Sequence, residues 1–63
     1  MSFKNNVRYL RTKAGLTQEE LAQRLRVTQA TISQYENGEI APRSVMVKQI
    51  AEFFKVNETE LLK

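Results

Sequence analysis

At 63 residues with a net charge of +3, the chain has room for one domain built around one small core. It holds neither cysteine nor histidine, which removes disulfides, thiolate metal sites, cysteine nucleophiles, the usual general base and the commonest metal ligand. No apolar run approaches a membrane span and the start MSFKNN lacks the apolar stretch of a signal peptide, so the expectation is a cytoplasmic protein with no membrane attachment, metal or cofactor.

Phe3, Val7, Leu10 and Ala14 recur at helical spacing, and Gly15 is placed to end this first helix in a left-handed residue. In LTQEELAQRL, Thr17 and Glu20 have the spacing of a capping box, where side chains and backbone satisfy each other's donors at a helix start. Leu21, Ala22 and Leu25 then form one apolar face, with Ala22 small enough to let a neighbouring helix cross closely. After the break at Arg26-Val27, Thr28 can cap a third helix in which only Ile32 and Tyr35 are apolar anchors, and Asn37-Gly38 stops it. Glu39 to Arg43 reads as a loop held by Pro42. Ser44 can cap a fourth helix whose buried stripe is Val47, Ile50, Ala51 and Phe54, with Met46. Asn57 with Glu60 repeats the capping pattern and opens a short fifth helix carrying Leu61 and Leu62. The expected architecture is all-α, a compact five-helix single domain over 1–63 without repeats or linkers. Its expected core is Val7, Leu10, Leu16, Leu21, Ala22, Leu25, Val27, Ile32, Tyr35, Val47, Ile50, Phe54, Val56 and Leu61.

The third helix is unusual in what it offers outward. Gln29, Ala30, Thr31, Ser33 and Gln34 are short or amide-bearing and uncharged, where a merely solvated helix more often carries Glu and Lys. Glutamine can pair bidentately with adenine, and Ala or the Thr methyl can touch a thymine methyl, so this surface suits the base edges of a major groove. Charge placement agrees. Lys4, Arg8, Arg11 and Lys13 fill the first 13 residues without an acid, whereas Ser44 to Lys63 carries three bases against three acids. All the excess positive charge therefore lies in the first two thirds, as expected if one face meets polyphosphate.

From Val7 to Leu62 the chain resembles the phage-repressor and Cro (XRE) family of helix-turn-helix proteins. The resemblance is carried by LTQEELAQRL, TQATISQYENG, the following proline and the tail IAEFFKVNETELL. It implies a repressor-like fold with the helix-turn-helix at helices 2 and 3, and a sequence-specific transcriptional regulator of the repressor kind. Helix 3, about 28–36, would enter the major groove. By position in the motif, Gln29, Ala30 and Gln34 would be principal base readers, with Thr28, Thr31 and Ser33 assisting. Gln18, Asn37, Arg43 and Arg11 would touch phosphates, and Arg11 with Glu36 would form a structural ion pair. Two positions depart from the family pattern, since Arg26 and Lys55 stand where glycine is common.

Family operators are usually two-fold symmetric, so a homodimer is expected, with Phe53, Val56, Leu61 and Leu62 supplying an apolar patch near the C-terminus. A helix-turn-helix module that binds a protein partner, as an antitoxin does, is the alternative. An enzyme is disfavoured by the missing His and Cys and by the lack of a Gly-rich phosphate loop. RNA binding is disfavoured because no aromatic platform is visible, and no small-molecule ligand is apparent.

Overall fold

The computed structural model describes residues 2–63 as five helices, with no strand among them: α1 (Phe3–Lys13), α2 (Gln18–Leu25), α3 (Gln29–Asn37), α4 (Ser44–Phe54) and α5 (Glu58–Leu62). Thr17 forms the full capping box. Its hydroxyl accepts from the Glu20 N–H at 3.0 Å while the Glu20 carboxylate accepts from the Thr17 N–H at 2.8 Å. Those bonds hold the Glu20 carboxyl below its ordinary value, the Thr17 backbone bond first and the Thr17 hydroxyl second. Thr28 caps α3 through its hydroxyl, which accepts from the Thr31 N–H at 3.2 Å.

Two of the expected caps are different. The N-cap position of α4 is Arg43, with Ser44 already helical, and no side chain caps that end. Asn57 occupies the N-cap of α5, but its side chain makes no capping bond. A short polar residue before an apolar run marks where a helix can begin, and the rotamer and the incoming backbone decide whether its side chain turns back onto the first turn.

All four left-handed residues end a helix or follow one. Gly15 and Gly38 both have φ of 75°, while Arg26 and Lys55 reach 61° and 59° with a side chain attached. Arg26 and Lys55 are the C-caps of α2 and α4, where their N–H groups close the last turn onto Ala22 and Gln23, and onto Ala51 and Glu52. The bonds in both turns are satisfied, so the cost lies in the crowded Cβ alone.

Val7, Leu21, Ile32, Ile50 and Leu61 are fully buried and hold the centre, joined by Ala22, Leu25, Tyr35, Val47 and Ala51. Leu10, Leu16, Val27, Phe54 and Val56, expected in the core, only border it and stay half-buried. Helix α3 packs against α2 on one side and α1 on the other, and α5 bridges α1 and α4. The Phe3 ring meets Tyr35 edge-on with centroids 5.6 Å apart, fixing the start of α1 to the last turn of α3. Leu61, expected also at a dimer contact, is wholly inside. Of the two adjacent leucines it is Leu62, 57% exposed, that faces out. A polar tie locks this choice: buried Asn6 donates its side-chain amide to the Leu61 carbonyl at 2.8 Å, satisfying one of the orphan acceptors that end α5.

Candidate nucleic-acid interface

Because successive residues of a helix are offset by 100°, Gln29, Ala30, Ser33, Gln34 and Asn37 fall on one side of α3, opposite Ile32 and Tyr35. The core takes Ile32 and Tyr35, so the polar side is left outward. Gln29, Ala30 and Asn37 are exposed there, and Ser33 and Gln34 are half-buried. Thr28 is exposed but its hydroxyl also bonds that of half-buried Thr31 at 2.9 Å, so the pair at the helix entrance is internally ordered. The Asn37 amide reaches the Ser33 hydroxyl at 3.4 Å. No formal charge interrupts this face.

The other end of α3 is built around one carboxylate. Glu36 has a completely buried side chain. Arg11 grips it with both edges of its fork, Nε donating to Oε2 at 2.6 Å and Nη2 to Oε1 at 3.1 Å, while Nη1 donates to the Leu16 carbonyl at 2.7 Å. Gln18, the first residue of α2, adds its amide to Oε1 at 3.1 Å. Burial by itself would raise the Glu36 carboxyl, but the bonds from Arg11 and Gln18 and the charges of Arg11 and Arg8 outweigh it and hold the group below its ordinary value. Such a buried charge is tolerable only because both oxygens have donors, and among the described residues no buried side-chain polar atom is left unpartnered.

Three of the four residues expected at phosphates therefore gather at one place. Gln18 and Arg11 converge on Glu36, and exposed Asn37 is the next residue. Gln18 spends one amide hydrogen there and has a second to offer. Arg43 stands apart, exposed at the start of α4 beyond the Glu39–Pro42 loop. One participant escaped the sequence reading: Arg8 approaches the Glu36 carbonyl at 3.5 Å and its carboxylate at 3.6 Å. Its three-residue offset from Arg11 on a helix was the available signal.

On α4, Phe53 is half-buried, lies edge-on to Phe54 with centroids 5.0 Å apart, and lines a depression with Leu25 and Arg26 at the end of α2. Half-buried Val56 instead lines a shallow groove with Tyr9 and Leu10 between α1 and the C-terminal segment. Tyr9 is 55% exposed, with the Lys13 ammonium 5.6 Å from its ring centroid. Among the described residues no group of acidic, His or Cys side chains could hold a metal ion, and no helix is long and apolar enough to cross a membrane.

The helix-turn-helix family model matches residues 7–61. The transcriptional activator BcrR of Enterococcus faecalis is 42% identical over 62 residues, a stretch covering 98% of this chain and 30% of that protein. Among solved structures, the P22 c2 repressor in complex with a synthetic operator superposes over 100% of this chain and 96% of its own, with a TM-score of 0.92 and 24% identity. The DNA-binding domain of BldD from S. venezulae superposes over 97% of this chain and 91% of its own, with a TM-score of 0.84 and 25% identity.

Proposed function

The chain belongs to the helix-turn-helix family of DNA-binding transcriptional regulators, and from that premise we propose that α3 enters the major groove and reads base edges. The observation that carries this reading is the uncharged face of α3, with Gln29 and Ala30 exposed at its N-terminal end. That end is the part of a recognition helix that approaches the bases most closely. Gln29 and Gln34 read by amide pairing, Ala30 by contact with a thymine methyl, and Thr28, Thr31 and Ser33 assist at bases or the sugar-phosphate chain. Gln18, Asn37 and Arg43 hold phosphates and set the register.

A single recognition helix covers only a few base pairs, so the reading includes a homodimer on a two-fold symmetric operator. Exposed Leu62 and the groove edge at Tyr9 and Val56 supply its apolar contact, while Phe53 lines a separate depression with Leu25 and Arg26 and Leu61 is excluded by its burial. Repression follows from occupancy of a promoter by such a dimer. The Enterococcus relative carries the name of an activator, and this chain spans 30% of its length.

Selection of bound sequences from a random duplex pool tests the whole reading. Enrichment of a palindrome whose half-sites lie about 34–36 Å apart is the expected result. Binding that is absent, or indifferent to salt, would leave the protein-partner module as the better account.

A further inference from the structure

Arg8 and Arg11 stand three residues apart on α1 and both approach Glu36, with opposite outcomes. Arg11 has a side chain only 14% exposed and commits three donors inside the fold, two to the carboxylate and one to the Leu16 carbonyl. Arg8 has a side chain 53% exposed and lies 3.5 Å from the Glu36 carbonyl and 3.6 Å from its carboxylate. Both distances are long for a charge-assisted bond. The carboxylate is already served by Arg11 and Gln18, so it does not need Arg8.

One turn earlier on the same side, Lys4 is exposed, and its stem lies over Gly38, with Cδ 3.0 Å from where a Cβ on that glycine would sit. Helix α3 has no basic residue in its own last turn. Its negative end is instead served by two cations lent by α1. Their charged groups lie at Glu36 and Gly38, the chain neighbours of Asn37, where the uncharged face of α3 runs out. A duplex seated on that face would bring its phosphate chain past this corner.

We propose that Lys4 and Arg8 are the cations of α1 that contact phosphate, while Arg11 is a positioning residue that holds α3 through Glu36. The proposal rests on the DNA-binding reading above. On docking, Arg8 exchanges its two long contacts with Glu36 for a phosphate oxygen, and Glu36 stays satisfied by Arg11 and Gln18. The ligand is the phosphodiester backbone of duplex DNA, without regard to its bases.

The test is the salt dependence of duplex binding, on both a selected operator and an unrelated duplex. Each phosphate contact contributes a slope of about 0.9 in log affinity against log salt. Lys4→Gln combined with Arg8→Gln should therefore lower the slope by about 1.8 on both duplexes, with a single cooperative melt showing that the fold is retained. Arg8→Lys should restore its share of the slope, which a purely structural role for the guanidinium would not predict. Lys13→Gln removes a charge from the same helix where the ammonium sits over the Tyr9 ring, and should leave the slope unchanged. A parent that binds duplex with steep salt dependence, beside a double variant of equal slope, overturns the assignment and leaves the DNA reading standing. An equal fall in Lys13→Gln also overturns it, since the effect would then be net charge alone. Absence of salt-dependent binding by the parent overturns both.

Discussion

The Gln18 side-chain amide donates to the buried Glu36 carboxylate over 3.1 Å, joining the first turn of α2 to the last turn of α3. The two helices of the motif are thus tied at their polar ends as well as through Leu21, Ala22 and Ile32, and the angle at which α3 is offered is set from both sides. Removing the shared acceptor should be costly. Glu36→Ala leaves Arg11, only 14% exposed, without its counter-ion, and a loss of about 3–5 kcal/mol is expected. A thermal or urea melt reads this directly; a loss under 1 kcal/mol would show that the pair behaves as a surface one.

Acid should act through the same group. The Glu36 carboxyl is held below its ordinary value despite its burial, so the unfolded chain takes up the proton first as pH falls. The stability it contributes is complete above the unfolded carboxylate pKa, about 4.3, and is lost as pH drops through the lower folded value. With no histidine in the chain, melting temperature should be level between about pH 5.5 and 7.5 and fall below about pH 4. Glu36→Gln should flatten part of that acid limb, measured by melts across pH.

Arg26 and Lys55 hold left-handed backbone at φ of 61° and 59°. Glycine at either position removes the Cβ crowding of about 1–2 kcal/mol and returns part of it through a more flexible unfolded chain. A net gain of about 0.5–1 kcal/mol per site is expected for Arg26→Gly and for Lys55→Gly, a rise of several degrees in Tm. A lower Tm in either variant would mean that the side chain contributes packing that outweighs the strain.

Base reading should be separable from folding. Gln29 is exposed, so Gln29→Ala should change stability by no more than about 0.5 kcal/mol. Binding to duplexes substituted one position at a time should lose about 1–3 kcal/mol of preference at a single position in each half-site. Uniform weakening across all duplexes would place Gln29 at the backbone instead.

What the sequence made legible was mainly local. The Thr17–Glu20 box, the Thr28 cap and the glycines after α1 and α3 lie within four residues of what they control, and chain order was enough to find them. The two unusual left-handed residues stood out because the resembling family favours glycine there. The ties that shape the fold and the candidate interface span the chain instead: Asn6 to Leu61 in the first, Gln18 to Glu36 and Arg8 to Glu36 in the second. Apart from the helical offset that sets Arg8 beside Arg11, no periodicity announces such contacts, and a polar residue on a helix reads the same whether solvent or a buried partner awaits it. Ser44 and Asn57 were misread for a related reason: the backbone turns helical one residue earlier than expected at Ser44, and at Asn57 a capping residue type does not fix its own rotamer. At α5, only five residues long, two adjacent leucines give too short a pattern to decide which one turns in.

Asn6 and the Leu61 carbonyl are separated by 55 positions along the polypeptide, so their bond cannot form until nearly the whole ribbon has been gathered up. Cutting away either terminal helix would remove one partner of this bond and uncover the apolar surface packed beneath it. Melting should accordingly be all-or-none, with amide exchange throughout the interior governed by a single global opening.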